Sequence, residues 1–152
     1  MRLRDYIKAE NIFPEIIADD RQELNATIVE IFRKLNPGLD HKALQKDLDA
    51  QDRVACSGGD CVIGVPNAFV QGLSQINCYV VRVCPRTEDP EPGTIRIGFF
   101  VFSPPEHSMD HLKFIARISR FACHPEFCCD LVKLDSANDL FNRIVKEDEE
   151  HV

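Results

Sequence analysis

The sequence lacks a long apolar run, and no stretch approaches the roughly 20 apolar residues that a membrane-spanning helix needs. The start, from Met1 to Asp5, is charged and leads into no apolar segment, so we expect no signal peptide and no membrane insertion. Internal repeats and low-complexity segments are missing as well. We therefore expect a cytoplasmic globular protein, and 152 residues suffice for one hydrophobic core.

Positive charge is scarce in this chain. The 18 lysines and arginines stand against 25 aspartates and glutamates, which gives a net charge of −7. An acidic surface repels phosphate backbones, so we expect neither nucleic acid nor an anionic membrane as the main partner. Much of the excess lies in the run from Glu147 to Glu150, and such a run is typically solvated. We expect a single domain over residues 1–145 and an acidic tail over residues 146–152.

The seven cysteines are an odd number, which fits poorly with a closed set of disulfides. Without a secretory signal, we interpret them as free thiols in a reducing compartment. Cys123-His124 and Cys128-Cys129 could suggest a metal site, but the matched C-x2-C pairs of zinc sites are missing. Neighbouring side chains on a helix also point about 100° apart. We expect no metal and no cofactor.

Helix signals dominate the first third of the chain. Residues 11–14 break the helical pattern, and residues 15–18 predict a short strand that leads into the first long helix. Asp20 and Glu23 have the spacing of an N-cap and its N3 carboxylate. Apolar residues then recur at helical spacing up to residue 35, and Asp40 begins a second helix.

The middle of the chain is rich in β-branched residues and predicts strands over 61–65, 76–83 and 94–102. The turn at 85–93 contains three prolines and a glycine, so the last two strands should form a hairpin. The strand over 94–102 is apolar on both faces, which predicts a central strand covered on both sides.

The last third is helical again. Ser108 is the expected N-cap of a helix that runs to about residue 121 and is apolar on two sides, which predicts that it is largely buried. His124-Pro125 and Ser136 mark the starts of two further helices. Helices before and after a short mixed sheet predict a three-layer α/β/α architecture.

The segment from Cys56 to Asn67 has the sequence CSGGDCVIGVPN. Two adjacent glycines can turn several N–H groups toward one point and form an anion-binding loop. The segment resembles the motif S-T-G-I-G-x-G-[IV]-A-[IV]-P-H of the fructose- and mannitol-type enzyme IIA domains, including the nitrogen-regulatory members, of bacterial sugar phosphotransferase systems. The aligned positions that match are Ser57, Gly58, Ile63, Val65 and Pro66.

A second region strengthens this resemblance. The strand ending in Ser103-Pro104 is followed by His111-Leu112, which is similar to the S-P and H-L-x-x-[LI]-[AS] patterns of the same family. The similarity covers roughly residues 3–145 and implies the enzyme IIA fold. It also implies an anion-binding loop made of Ser57, Gly58, Gly59 and Pro66.

Asn67 stands where the family has the histidine that accepts a phosphoryl group from the phosphocarrier protein HPr. An amide nitrogen shares its lone pair with the carbonyl group, so it is not a nucleophile at neutral pH, whereas imidazole is. Gln51 stands where the family often has an arginine, and Arg53 is two residues out of register. The resemblance therefore implies a degenerate active site.

His111 holds the place of the family's second, supporting histidine, near the start of a helix, where an anion is favoured. Three roles stay open for His111: a hydrogen bond to Asn67, binding of an anion or small ligand, and direct acceptance of phosphate.

Three functions follow, and whether the chain is an enzyme stays open. The first is a non-phosphorylatable regulatory protein that acts through a protein partner such as an HPr-like carrier, a transporter or a kinase. The second is an active phosphoryl carrier that uses His111. The third is a ligand or thiol-redox sensor, because Cys56 and Cys61 flank the glycine pair.

Overall fold

The computed structural model describes residues 1–51, 56–58, 61–91 and 93–150. The strands are β1 (Ile12–Ile17), β2 (Cys56–Gly58), β3 (Cys61–Gly64), β4 (Asn67–Phe69), β5 (Asn77–Cys84) and β6 (Ile97–Ser103). The helices are α1 (Arg21–Leu35), α2 (His41–Asp49), α3 (Ser108–Ala122), α4 (Pro125–Val132) and α5 (Ala137–Glu150). Short 3-10 turns cover Leu3–Asp5, Ala9–Asn11 and Pro105–His107.

The six strands form one mixed sheet in the order β1-β5-β6-β3-β2, and β4 pairs with β6 beyond the end of β3. β5 and β6 form the antiparallel hairpin that the sequence predicts, while β3 and β4 run parallel to β6. Every residue of β6 is buried. The predicted central strand, covered on both faces, is therefore confirmed.

Two hydrophobic clusters lie on opposite faces of the sheet. One contains the inward residues of α1 and α2, and the other those of α3, α4, α5 and the N-terminal turn. The alternation within β5 separates them, because Val80 packs in the α3–α5 cluster and Val81 in the α1–α2 cluster. The three-layer α/β/α prediction is confirmed. No helix in the described ranges is long and apolar enough to cross a membrane.

The first strand was expected to begin after Pro14, but β1 starts at Ile12 and includes the proline. β1 lies at the edge of the sheet and pairs only with β5, with a shift in register between Phe13 and Ile16. A proline has no N–H to donate, and edge strands and bulges are where a sheet accepts one. The expected break at residues 11–14 is therefore wrong.

The helix N-caps follow the predictions in three of four cases. Asp20 accepts a hydrogen bond from the N–H of Glu23 at 2.8 Å, and Asp40 and Ser136 accept equivalent bonds at 3.0 and 3.1 Å. The carboxylate of Glu23 reaches back to the N–H of Asp19 at 2.8 Å, one residue before the N-cap.

The exception is α3. Its N-cap is His107 rather than Ser108, because the preceding prolines begin a 3-10 turn that leads directly into the helix. α3 is also buried along one side only, through His111, Phe114, Ile118 and Phe121. Leu112 is 61% exposed, so the expectation of a helix buried on two sides is wrong.

The acidic run at the end of the chain is not a solvated tail. α5 continues to Glu150, and both Glu147 and Asp148 are buried. Asp148 accepts a hydrogen bond from Arg117 Nε at 2.5 Å and another from the N–H of Leu3 at 2.9 Å. These bonds tie α5 to α3 and to the start of the chain, so the expected boundary at residue 145 cuts through a structural contact.

We predict that Asp148→Ala destabilises the protein by about 3 kcal/mol, because it leaves the Arg117 guanidinium and the Leu3 N–H without their buried acceptor. The matched control is Glu149→Ala, which removes an exposed ion pair with Arg4 and should cost less than about 1 kcal/mol. Urea unfolding measures both. Equal effects of the two variants would contradict the structural role of Asp148.

Candidate functional site

Asn67 opens β4, and two contacts fix its backbone. The carbonyl oxygen of Pro66 accepts a hydrogen bond from the N–H of Val101 at 3.0 Å, and Asn67 itself pairs with Val101 on β6. Its side chain is half-buried. β4 thus presents Asn67 at one end of the sheet, beside the start of α3.

The amide of Asn67 has a defined orientation. Its Nδ2 donates a hydrogen bond to the carbonyl oxygen of Val65 at 2.9 Å. Its Oδ1 is therefore the atom that faces His111 Nε2, at 3.2 Å. A carbonyl oxygen can only accept, so Nε2 of His111 must be the protonated donor.

His111 is the fourth residue of α3, and its side chain is only 2% exposed. Its Nδ1 lies 2.6 Å from the hydroxyl oxygen of Ser103, the last residue of β6. With Nε2 protonated, a neutral ring has its lone pair on Nδ1, and Ser103 Oγ–H donates to it. Burial lowers the pKa of His111 from its ordinary value, which favours this neutral form near pH 7.

The side chain of Gln51 forms two hydrogen bonds with the backbone of Asn67. Its Nε2 donates to the carbonyl oxygen of Asn67 at 2.6 Å, and its Oε1 accepts from the N–H of Asn67 at 3.2 Å. The carbonyl oxygen of Gln51 accepts in turn from Arg21 Nη1 at 2.8 Å. Gln51 thus pairs with β4 as a neighbouring strand would. Arg53, the other residue considered for this position, lies outside the described residues.

Three exposed apolar side chains lie on the elements that carry Asn67 and His111, and we call them the apolar patch: Phe69 on β4, and Met109 and Leu112 on α3. They are 44%, 66% and 61% exposed. The ring of Phe69 lies against that of His111, with centroids 4.4 Å apart. Met109 and Leu112 are three residues apart on α3 and so occupy neighbouring positions on its outer surface.

The expected anion-binding loop lies elsewhere. β2 pairs with β3 so that Ser57 is opposite Val62, and Gly59 lies outside the described residues. The chain stays extended from β3 to β4, because Ile63 pairs with Ile97 and Asn67 with Val101. Ser57 is therefore about 16 Å along the sheet from Asn67, at about 3.3 Å per residue. Of the three described residues expected in that loop, Ser57, Gly58 and Pro66, only Pro66 adjoins Asn67.

A groove of about 740 Å³ lies beside Gln51, between the start of α1 and the β5–β6 turn. Its charged lining is mostly acidic: Asp19, Asp20, Asp49, Asp89 and Glu91, with Arg21 as the basic member. This lining does not suit a phosphate group.

The cysteines whose side chains the structure describes form no cluster at this site. Cys78 and Cys128 are buried, whereas Cys123 and Cys129 are exposed. Burial raises the pKa of the Cys78 thiol, which keeps it neutral and unreactive. Within the described part of the chain, no three His, Cys, Asp or Glu side chains are placed to hold a metal ion. The side chains of Cys56 and Cys61, on which the redox-sensor hypothesis depends, lie outside the described part.

Sequence reasoning missed two residues of this site. Ser103 was noted only as part of a Ser-Pro pattern, and Gln51 only as a departure from an expected arginine. A small hydroxyl residue at the end of an apolar strand, facing a histidine in the next helix, is a signal that could have identified Ser103. Gln51 had no such signal, because its contact depends on how α2 leads into the sheet.

No protein-family model matches the sequence, and no curated protein sequence matches it either. Solved structures do match. The nitrogen regulatory protein IIA-Ntr from Neisseria meningitidis superposes with a TM-score of 0.75 at 13% identity, over 93% of this chain and 98% of that one. The chain has the fold of the IIA proteins.

Two further structures with the IIA fold come from Escherichia coli. IIA mannitol has a TM-score of 0.66 at 16% identity, over 91% of this chain and 98% of that chain. The mannitol-specific cryptic phosphotransferase enzyme IIA has a TM-score of 0.65 at 18% identity, over 96% and 99%. The IIA fold therefore spans nearly the whole chain, as the resemblance in sequence implies.

We predict that His111 is the neutral Nε2–H tautomer at pH 7 and that it titrates below about 6.5, the usual value for histidine. Because the folded-state pKa is lowered, the unfolded chain binds the proton more readily. The contribution of His111 to stability is thus complete above about pH 6.5 and is lost as the pH falls toward the folded-state pKa. Nitrogen-15 NMR of the ring measures both the tautomer and the midpoint.

The matched variant is Asn67→Asp, which keeps the side-chain shape and replaces the amide by a carboxylate. It should raise the pKa of His111, because a nearby negative charge favours the imidazolium form. An Nδ1–H tautomer in the wild type would contradict the assigned hydrogen bonds.

Proposed function

We propose that this chain is a regulatory relative of the phosphotransferase-system IIA proteins, which binds a protein partner through the surface around Asn67 and accepts no phosphoryl group. The observation that supports this most is the hydrogen-bonded row Val65–Asn67–His111–Ser103. Each polar side-chain atom in that row already has a hydrogen-bond partner, and no nucleophilic nitrogen lone pair in it is free.

Asn67 cannot replace a phosphate-accepting histidine. The lone pair of its Nδ2 is delocalised, and the N–H group is already bonded to Val65. Phosphoryl transfer needs a nucleophilic lone pair in line with the phosphorus atom. This side chain supplies none.

His111 is an unsuitable substitute. In the neutral ring the nucleophilic lone pair is on Nδ1, which lies 2.6 Å from Ser103 Oγ inside the protein. A phosphoryl group on Nδ1 would have to occupy the position of that hydroxyl. Turning the ring outward would break the hydrogen bonds to Ser103 and Asn67 and its packing against Phe69. The geometry therefore favours the role of His111 as a hydrogen-bonded support for Asn67.

The apolar patch supports the binding part of the proposal. Three large apolar side chains, each at least 44% exposed, lie on β4 and α3, which also carry the half-buried Asn67 and the buried His111. An apolar centre with a small polar group is the usual composition of a protein-binding surface. The resemblance to IIA proteins makes an HPr-like carrier the first partner to test, ahead of a transporter or a kinase.

We predict that incubation with labelled phospho-HPr leaves the wild type and His111→Ala without label, because neither offers a nucleophile at this surface. Asn67→His should gain label, since it places an imidazole at the half-buried first position of β4. Acid-labile radioactivity on the protein measures the transfer. Label on the wild type that is lost in His111→Ala would overturn the proposal and would establish a carrier that uses His111.

We predict that unlabelled HPr binds the wild type and shifts the backbone NMR signals of Phe69, Met109 and Leu112. Leu112→Asp should weaken this binding by about tenfold, because it places a charge in the apolar patch. The matched control is Leu35→Asp, which makes the same change at a residue of similar exposure (57%) at the end of α1. Equal weakening by both variants, or no binding to the wild type, would exclude HPr as the partner at this surface.

A further inference from the structure

The strand that carries Asn67 has one open edge. Among the described residues, β4 pairs with a single strand, β6. The carbonyl oxygen of Pro66 accepts from β6, and the N–H of Val70 donates to it at 2.8 Å. The backbone groups of successive strand residues point to opposite edges, so the N–H and C=O groups of Asn67 face away from β6.

The side chain of Gln51 supplies a matching partner at this edge. Its Nε2 donates to the carbonyl oxygen of Asn67 at 2.6 Å, and its Oε1 accepts from the N–H of Asn67 at 3.2 Å. A carboxamide carries a donor and an acceptor side by side, as a peptide group of a neighbouring strand does. Arginine and lysine side chains have only donors, and an ionised carboxylate has only acceptors, so each could satisfy one of the two groups at most.

The backbone of Gln51 is itself fixed by two helices. Its N–H donates to the carbonyl oxygen of Leu48 in the last turn of α2 at 3.1 Å, and its carbonyl oxygen accepts from Arg21 Nη1 on α1 at 2.8 Å. Leu48 is 1% exposed and packs in the α1–α2 cluster. The position of Gln51 is therefore set by packed elements, and its side chain in turn sets the position of Asn67.

The contacts of the Asn67 side chain depend on this backbone position. β4 has only three residues and Asn67 is the first of them, at an end where a short strand opens most easily. A shift of its backbone would lengthen the 3.2 Å contact between Oδ1 and Nε2 of His111. It would also move Phe69, whose ring packs against His111 with centroids 4.4 Å apart. The apolar patch and the hydrogen-bonded row thus share one support.

We propose that Gln51 is a positioning residue of the partner-binding surface: its carboxamide takes the place of a paired strand and holds Asn67 where the bond to His111 requires it. The effect on partner binding rests on the function proposed above, whereas the effect on Asn67 rests on the hydrogen bonds of Gln51 alone. The glutamine is then more than the loss of the arginine that the resemblance implies, because an arginine could not accept from the N–H of Asn67.

Gln51→Met tests the proposal, because methionine has a similar length but no N–H donor and only a weak acceptor. Nitrogen-15 NMR of the whole chain measures hydrogen exchange at the N–H of Asn67 and the ring signals of His111. We expect this exchange to become at least about tenfold faster. We also expect His111 to change from the Nε2–H form to a mixture of both neutral tautomers, because the Ser103 hydroxyl can donate or accept and selects neither.

The matched control is Gln75→Met, which makes the same change at an exposed position in the turn before β5 and should alter neither signal. If Gln51→Met fails to fold, Gln51→Asn keeps the polar amide and shortens its reach by one CH2 group, and we expect the same two changes. Exchange at Asn67 and a His111 tautomer as in the wild type, in whichever of the two variants folds, would overturn the proposal.

Binding of HPr to the same variants tests the link to function. Gln51→Met should weaken this binding by about tenfold, and Gln75→Met should leave it unchanged. Altered His111 signals with unchanged HPr affinity would overturn the role of Gln51 in partner binding. Absence of HPr binding to the wild type would instead count against the proposed partner, and the NMR signals, which need no partner, would then decide whether Gln51 positions Asn67.

Discussion

The orientation of one side-chain amide determines the chemistry around Asn67. The carbonyl oxygen of Val65 can only accept, so it selects Nδ2 of Asn67 as its partner and leaves Oδ1 for His111. Oδ1 then requires a proton on Nε2 of His111, and the remaining lone pair on Nδ1 is directed to the hydroxyl of Ser103. Reversing the amide would turn Oδ1 toward the carbonyl oxygen of Val65, which has no proton to donate, and would require an unprotonated Nε2 on His111. The state of the imidazole therefore depends on a backbone carbonyl group rather than on a neighbouring charge.

The central strand makes this arrangement possible. β6 is buried on both faces, and a slip of one residue would exchange its two faces, so its register is strongly specified. That register places Ser103 beneath α3, where its hydroxyl meets His111. The pairing of β4 with β6 then places Asn67 at the same end of the sheet. The candidate site is therefore a consequence of this single register.

Features that depend on neighbours in sequence could be predicted, and those that depend on distant contacts could not. The caps at Asp20 and Asp40 and the β5–β6 hairpin use local signals, and the sequence predicts them correctly. The proximity of Asn67 and His111 was expected from the resemblance to IIA proteins, since no local pattern links residues 44 positions apart. The sequence did not predict that Asp148 in the acidic run is buried, because its hydrogen-bond partner Arg117 lies in another helix. The irregular backbone at Arg96 becomes visible only when the partners of its N–H and carbonyl groups, on β3 and β5, are known.

A partner that docks on the apolar patch would meet a surface whose charge is nearly constant. A phosphoryl group brings roughly two negative charges, and a IIA-like surface that accepts one can therefore alternate between two electrostatic states. Asn67 and His111 are together neutral near pH 7, because burial holds the pKa of His111 below its ordinary value. Binding of a partner at this surface would then depend on the concentrations of the two proteins and not on the supply of phosphoryl groups. If such a protein is also to respond to metabolism, the signal has to enter at a part of the fold that does not contact Asn67.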